Sequence, residues 1–194
     1  MARQSFKAGA LLGPLPAVLV TTGDMENSNV LTVAWCGILS THPARAYISV
    51  RPTRHSYKML RGSGEFVINL TTEALVRATD YSGVFTGAKV DKFEKCHLTR
   101  VASEVVAPPT IAESPLALEC RVFEVMESGT HHVFMADILS VSCDDGILDN
   151  GRICLDRAGL ISYSHGEYFA QGKKLGKFGF SAAKKKKTPR GKGK

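Results

Sequence analysis

No stretch of this 194-residue chain approaches the roughly 20 apolar residues that a membrane-spanning helix requires. The apolar run from Ala8 to Val20 is broken by Gly9, Gly13, Pro14 and Pro16, so a secretory signal is not expected despite Arg3 and Lys7. Cysteine is scarce. The five present include no Cys-x-x-Cys pair, which argues against a disulfide framework and a cysteine zinc site and predicts reduced thiols in a cytoplasmic protein. Asp144, Asp145 and Asp149 lack calcium-loop spacing, so no metal is expected. Also missing are Gly-x-Gly-x-x-Gly after a strand, Gly-x-x-x-x-Gly-Lys, Gly-x-Ser-x-Gly and His-Glu-x-x-His. Their absence argues against a Rossmann domain, a P-loop, a hydrolase elbow and a zincin. A nicotinamide donor, if one is used, must therefore act without a dedicated dinucleotide domain.

The formal charge of +7 invites a nucleic-acid reading, but its placement weakens that reading. Lys184, Lys185, Lys186, Lys187, Arg190, Lys192 and Lys194 fall within the last eleven residues. Without those seven, eighteen basic side chains face eighteen acidic ones, and the body is neutral. The excess belongs to a Lys/Gly/Pro tail that is expected to be disordered and solvated rather than a nucleic-acid site.

The densest stretch runs from Val30 to Ser56, VLTVAWCGILSTHPARAYISVRPTRHS. An apolar strand, Val30 to Cys36, leads through a turn at His42-Pro43 into a second strand, Ala46 to Val50. Pro52 disfavours helix at Arg51, and Thr53 is a good N-cap for a helix through Tyr57, Met59 and Leu60. Such a helix start presents unpaired backbone N–H groups and the positive end of a dipole. Arg51, Arg54, His55 and Ser56 surround it, a set that suits a phosphate. A strand–helix junction with a solvated basic rim has the same pattern.

Elsewhere, Ala17 to Thr22 and Glu65 to Leu70 read as strands, and Glu73 to Tyr81 as a short helix with Gly83 as its C-cap. Lys92 follows a glycine turn at Gly87 and is expected on a solvated surface loop. Leu116 to Glu127 alternates Leu118, Cys120 and Val122 against Glu119 and Arg121; it turns at Ser128-Gly129 into His131 to Val141, a predicted hairpin. Successive strand side chains point to opposite faces, so His131 and His132 cannot both reach one site. Cys36 reads as a small apolar strand residue.

The series Asn29-x-x-Thr32-Val33-Ala34-Trp35-Cys36-Gly37, followed by Ser49-Val50-Arg51-Pro52-x-Arg54-x-Ser56, resembles the flavin reductase-like, FMN-binding split-barrel family, and within it the flavoredoxins. Lys92, Gly129-x-His131-x-x-Phe134 and the segment from Leu160 to Gly179 carry the resemblance over residues 10 to 181. Together with the many β runs, it implies a mainly β fold, a six-stranded Greek-key split barrel over residues 1–181, and a basic tail at 182–194. It further implies a homodimer with FMN near the subunit interface. Asn29, the Thr32, Val33, Ala34 and Trp35 backbone, Lys92 and His131 would hold the flavin ring, with Trp35 against the isoalloxazine. Arg51, Arg54, His55 and Ser56 would hold the phosphate, and either Tyr163 or Tyr168 would wall the site. His131 and Lys92 are the candidates for any catalytic role, since the redox chemistry belongs to the cofactor. The implied activity is an FMN-dependent oxidoreductase or electron carrier, fed by NAD(P)H or a small redox protein. The alternatives are flavin binding without turnover and a nucleic-acid-binding module based on the tail. Two positions depart from the family pattern: Ala136, where relatives usually carry glycine, and Gly159, where proline is usual.

Overall fold

The computed structural model describes residues 2–182. Seven strands form its main sheet: β1 (Val18–Gly23), β2 (Ser28–Val33), β3 (Cys36–Thr41), β4 (Ala44–Val50), β5 (Glu65–Leu70), β6 (Leu116–Ser128) and β7 (His131–Cys143). Their spatial order is β2-β1-β5-β6-β7-β4-β3, with every neighbouring pair antiparallel. Strands β2 and β3 thus lie at opposite edges, yet only Ala34 and Trp35 separate them in sequence. Two residues span too little distance to cross a flat sheet. The sheet must curl until its edges meet. At that seam the Ser49 amide donates to the Trp35 carbonyl at 2.8 Å.

The break at Ala34-Trp35 corrects the expectation of one strand from Val30 to Cys36, and it raises the strand count of the barrel from six to seven. The mainly β split-barrel architecture stands. Inside it, Val18, Val20, Leu31, Val33, Ile48, Phe66, Cys120 and Phe134 form one core, drawn from both edges and the middle of the sheet. Each fully buried side chain of this size stabilises the fold by about 1.5–3 kcal/mol. Ala136 has no exposure and pairs with Ala46, so the barrel accommodates a methyl where the family usually has glycine.

Three helices pack outside: α1 (His55–Ser63), α2 (Val76–Val84) and α3 (Lys92–Lys95). Leu19 and Val30 face outward beneath α2 and α3, where Leu75, Ala78, Phe93 and Leu98 cover them in a second core. A smaller hairpin, β8 (Ile161–Ser164) and β9 (Glu167–Ala170), pairs with Leu15–Pro16 and lies at the seam end of the barrel. Glu119, expected on a solvated strand face, is buried. Its carboxylate accepts from the Glu104 and Val105 amides at 2.9 and 2.7 Å, so a covering loop replaces water there. The expected basic tail lies outside the described residues except for Ala182.

Candidate functional site

The chain leaves β4 at Val50 and enters α1 at His55, and Arg54 rather than Thr53 occupies the N-cap. A guanidinium cannot accept a hydrogen bond, so Arg54 provides no side-chain cap, and the first turn contains no acidic residue. The helix entrance therefore keeps N–H groups and a positive field available for an outside acceptor. It opens on a hollow of about 170 Å³ lined by Asn29, Arg51, Arg54, His55, Gly87 and Lys92, among others.

Two expected members of this group sit differently from the sequence reading. Ser56 is fully buried and lines neither the hollow nor the cleft beside it. Its hydroxyl accepts from Asn29 Nδ2 at 2.7 Å and from Thr22 Oγ1 at 3.2 Å, tying α1 to β1 and β2. Lys92 is buried rather than solvated. Asp91 caps α3 by accepting from the Phe93 and Glu94 amides, which places Lys92 at the first helical position. There its Nζ donates to the Val30 and Ser82 carbonyls at 2.7 and 2.8 Å. An ammonium has three donors, so one remains for a ligand in the hollow. Burial, and next the Arg54 charge, push this ammonium down to about 8. Lys92 and Asn29, both expected at a ring, line the basic hollow instead.

The second compartment is a cleft of about 850 Å³ that shares Leu31, Arg51 and Arg54 with the hollow. Thr32, Val33, Ala34 and Trp35 line it, as do His131, Tyr163 and Tyr168. Trp35, at the seam, stands 4.3 Å from His131 between ring centroids, tilted by 54°. Tyr163 and Tyr168 meet edge to face at 5.5 Å, so both aromatic candidates border the cleft. The structure thus brings together every expected site residue except Ser56 along two adjacent spaces. His132 points to the other face, where its Nδ1 lies 2.7 Å from the Tyr57 hydroxyl, as the alternation of a strand requires.

Several positions carried no sequence signal for the site. Residues 10–15 line the cleft, although this apolar stretch, broken by Gly13 and Pro14, reads only as a lead-in. His165 and Gly166, in the β8–β9 turn, line it as well. Gly83 is inside α2, whose C-cap is Phe85, and its role is close approach rather than capping. Its carbonyl accepts from Arg54 Nη1 at 3.0 Å, and an added Cβ would meet Thr32 at 3.3 Å. Gly87 is tighter still, with 2.1 Å from a hypothetical Cβ to Asn29 Oδ1. Glycine at 87 is what leaves room for the Asn29 amide.

Among the described residues, no carboxylate lines either space, while Arg51, Arg54, His55 and Lys92 do. An anion is therefore favoured at one end and a flat apolar group at the other. The thiols offer no chemistry here. All five cysteines are free, and burial pushes the Cys36 thiol up to about 12, far from reactive thiolate. No group of three or more metal-ligating side chains occurs among the described residues, and no helix there is long and apolar enough to cross a membrane.

A family model described as the flavin reductase like domain matches residues 13–170. An uncharacterised protein of Archaeoglobus fulgidus is 36% identical over 158 residues, covering 81% of this chain and 88% of that protein. Among solved structures, flavoredoxin of Desulfovibrio vulgaris (Miyazaki F) superposes with a TM-score of 0.87 at 30% identity, covering 94% of this chain and all of that one. Flavoredoxin from Methanosarcina acetivorans superposes with a TM-score of 0.83 at 23% identity over 93% of this chain and all of that one, which bears on the fold alone.

Proposed function

This chain belongs to the flavin reductase-like family, and on that premise we propose that it binds FMN and passes electrons through it as an oxidoreductase or electron carrier. One observation carries the reading: a basic helix entrance and an aromatic cleft lie side by side and share Leu31, Arg51 and Arg54 in their walls. A phosphate fits the first and a planar ring the second. The residues present also meet the chemical demands of the group. The hollow has cationic and N–H donors with no carboxylate, and Gly87 leaves room for the Asn29 amide in its wall.

In this reading Arg51, Arg54, His55 and Lys92 hold the phosphate with the free N–H groups of α1. Asn29 and Ser56 support that entrance from inside. The Thr32–Trp35 segment, His131, Tyr163 and Tyr168 hold and cover the ring. Bound FMN supplies the one- and two-electron chemistry. The protein's part is to orient the ring, set the charge around it and limit water access. The electron donor is NAD(P)H or a small redox protein, the chain works in the cytoplasm, and no membrane or nucleic acid is required. A homodimer is part of the proposal. Phe6, Leu12, Leu175 and Phe178 are all more than four-fifths exposed, and a subunit contact would cover such side chains.

The test is flavin content and anaerobic reduction. Purified protein is titrated with FMN, then with NADH, NADPH and a reduced ferredoxin, following the long-wavelength flavin band. Tight binding with reduction by one of these is the expected result. Arg54→Ala should weaken FMN binding by roughly ten- to a hundredfold, the range for losing a charge-assisted contact. A colourless protein with no FMN affinity, whose nucleic-acid gel shift disappears on deleting residues 184–194, would replace this reading with the tail-based one.

A further inference from the structure

Thr130 lies in the exposed turn between β6 and β7, outside both compartments, yet it is hydrogen-bonded to the site. Its Oγ1 is 2.9 Å from His131 Nδ1, while Nε2 of the same ring receives Arg51 Nε at 3.4 Å. A guanidinium has no lone pair to offer and keeps its protons in a protein. Nε2 must therefore be the unprotonated nitrogen, and the ring proton sits on Nδ1 and is donated to Thr130. The relay has one direction, from Arg51 through His131 to Thr130.

We infer that Thr130 is a positioning residue: its hydroxyl holds His131 as the Nδ1–H tautomer, and that tautomer holds Arg51 with its two Nη nitrogens free for an oxyanion. Arg51 borders both compartments, so its orientation bears on whatever anion they take. The inference rests on the phosphate reading of the hollow. Other groups around the imidazole agree with it. The Trp35 ring packs on one side, and Ser128 is the cross-strand partner. The charged groups facing the imidazole are Arg51 and Arg54, and burial, followed by these two cations, holds its pKa below the ordinary value. The unprotonated ring is thus the form present at neutral pH. Without the Thr130 acceptor the proton can move to Nε2. There it would face the Arg51 N–H, donor against donor, and the contact would be lost.

The experiment uses the full chain without flavin, labelled with ¹⁵N-histidine, and reads the imidazole nitrogens in a long-range ¹H–¹⁵N correlation spectrum at about pH 7.5. His131 is assigned from its absence in His131→Gln. The expected result is Nδ1–H in the parent protein, a shift toward Nε2–H in Thr130→Val, and return to Nδ1–H in Thr130→Ser. FMN affinity should fall roughly three- to tenfold in Thr130→Val, the range for one neutral hydrogen bond, and recover in Thr130→Ser. A parent spectrum with the proton on Nε2 overturns the inference. So does a Thr130→Val protein that keeps Nδ1–H, or a serine variant no better than valine. If no variant binds FMN, the functional proposal fails while the spectra still decide the tautomer.

Discussion

The Asn29 amide donates to the Ser56 hydroxyl at 2.7 Å, across 27 residues of chain, with both side chains buried. The bond joins the start of β2 to the first turn of α1, two elements that both border the basic hollow. Ser56→Ala should cost about 1–3 kcal/mol in urea unfolding, because it strands the Asn29 donor away from water. FMN affinity should fall with it. A variant as stable as the parent would show that Asn29 finds another acceptor.

Gly87 makes a sharper test of the same wall. Gly87→Ala places a methyl 2.1 Å from Asn29 Oδ1, a distance that one of them must relieve by moving. Gly87 is half-buried in a loop outside the barrel, so relief is expected to come from displacing that loop, with little loss of stability. Calorimetry with FMN should show at least a tenfold loss of affinity, about 1.4 kcal/mol. Retained affinity would move the phosphate away from this wall.

Lys92 predicts a pH dependence. Its ammonium is pushed down to about 8 by burial and then by Arg54. A bound dianion raises that value, so above about 8 binding must take up a proton that the free protein has lost. FMN affinity should therefore be level between about pH 7 and 8 and fall as pH rises further. The flavin phosphate, with a second pKa of about 6, is fully ionised over that range and contributes no slope. Lys92→Met should bind more weakly and lose the slope; a parent profile flat to pH 10 would rule Lys92 out of the contact.

Trp35 is the sole tryptophan, so its fluorescence reports the cleft alone. His131 stands 4.3 Å away, and an imidazolium quenches indole. Emission of the flavin-free protein should drop on acidification, with a midpoint below the ordinary histidine value of about 6.5, since burial, Arg51 and Arg54 lower the pKa of this ring. Arg51→Met should move the midpoint upward. Addition of FMN at neutral pH should quench the same emission.

Stability should depend on the barrel interior far more than on its outside. Phe134 has no exposure, and Phe134→Ala should cost about 3–5 kcal/mol in urea unfolding. Ile38, 62% exposed on edge strand β3, should change stability by about 0.5 kcal/mol or less when replaced by alanine.

Much of this arrangement was legible in the residues. The alternation of Leu118, Cys120 and Val122 marked β6, and the Ser128-Gly129 turn marked its hairpin with β7. Arg51-Pro52-Thr53-Arg54 marked the helix entrance, since proline restricts the backbone locally. What escaped depends on tertiary context. Val30 to Cys36 is apolar apart from Thr32, and periodicity cannot say where such a run bends, so the corner at Ala34-Trp35 was invisible. Lys92 reads as solvated because lysine usually is; only the Val30 and Ser82 carbonyls, distant in sequence, make its burial tolerable. Ser56 lies in the first turn of α1, but its hydroxyl turns inward to Asn29 and Thr22, contacts that the local sequence does not reveal. The cleft-lining segment at residues 10–15 carries no pattern at all, because its place comes from Leu15–Pro16 pairing with β8.

The corner at Ala34-Trp35 has a consequence for how the molecule matures. Its flanking strands are the first and last staves of the cylinder, so a chain that has not yet joined them has no compartment to offer. An unclosed intermediate should be blind to flavin, and cofactor supplied during refolding would capture completed molecules without speeding the steps that precede closure.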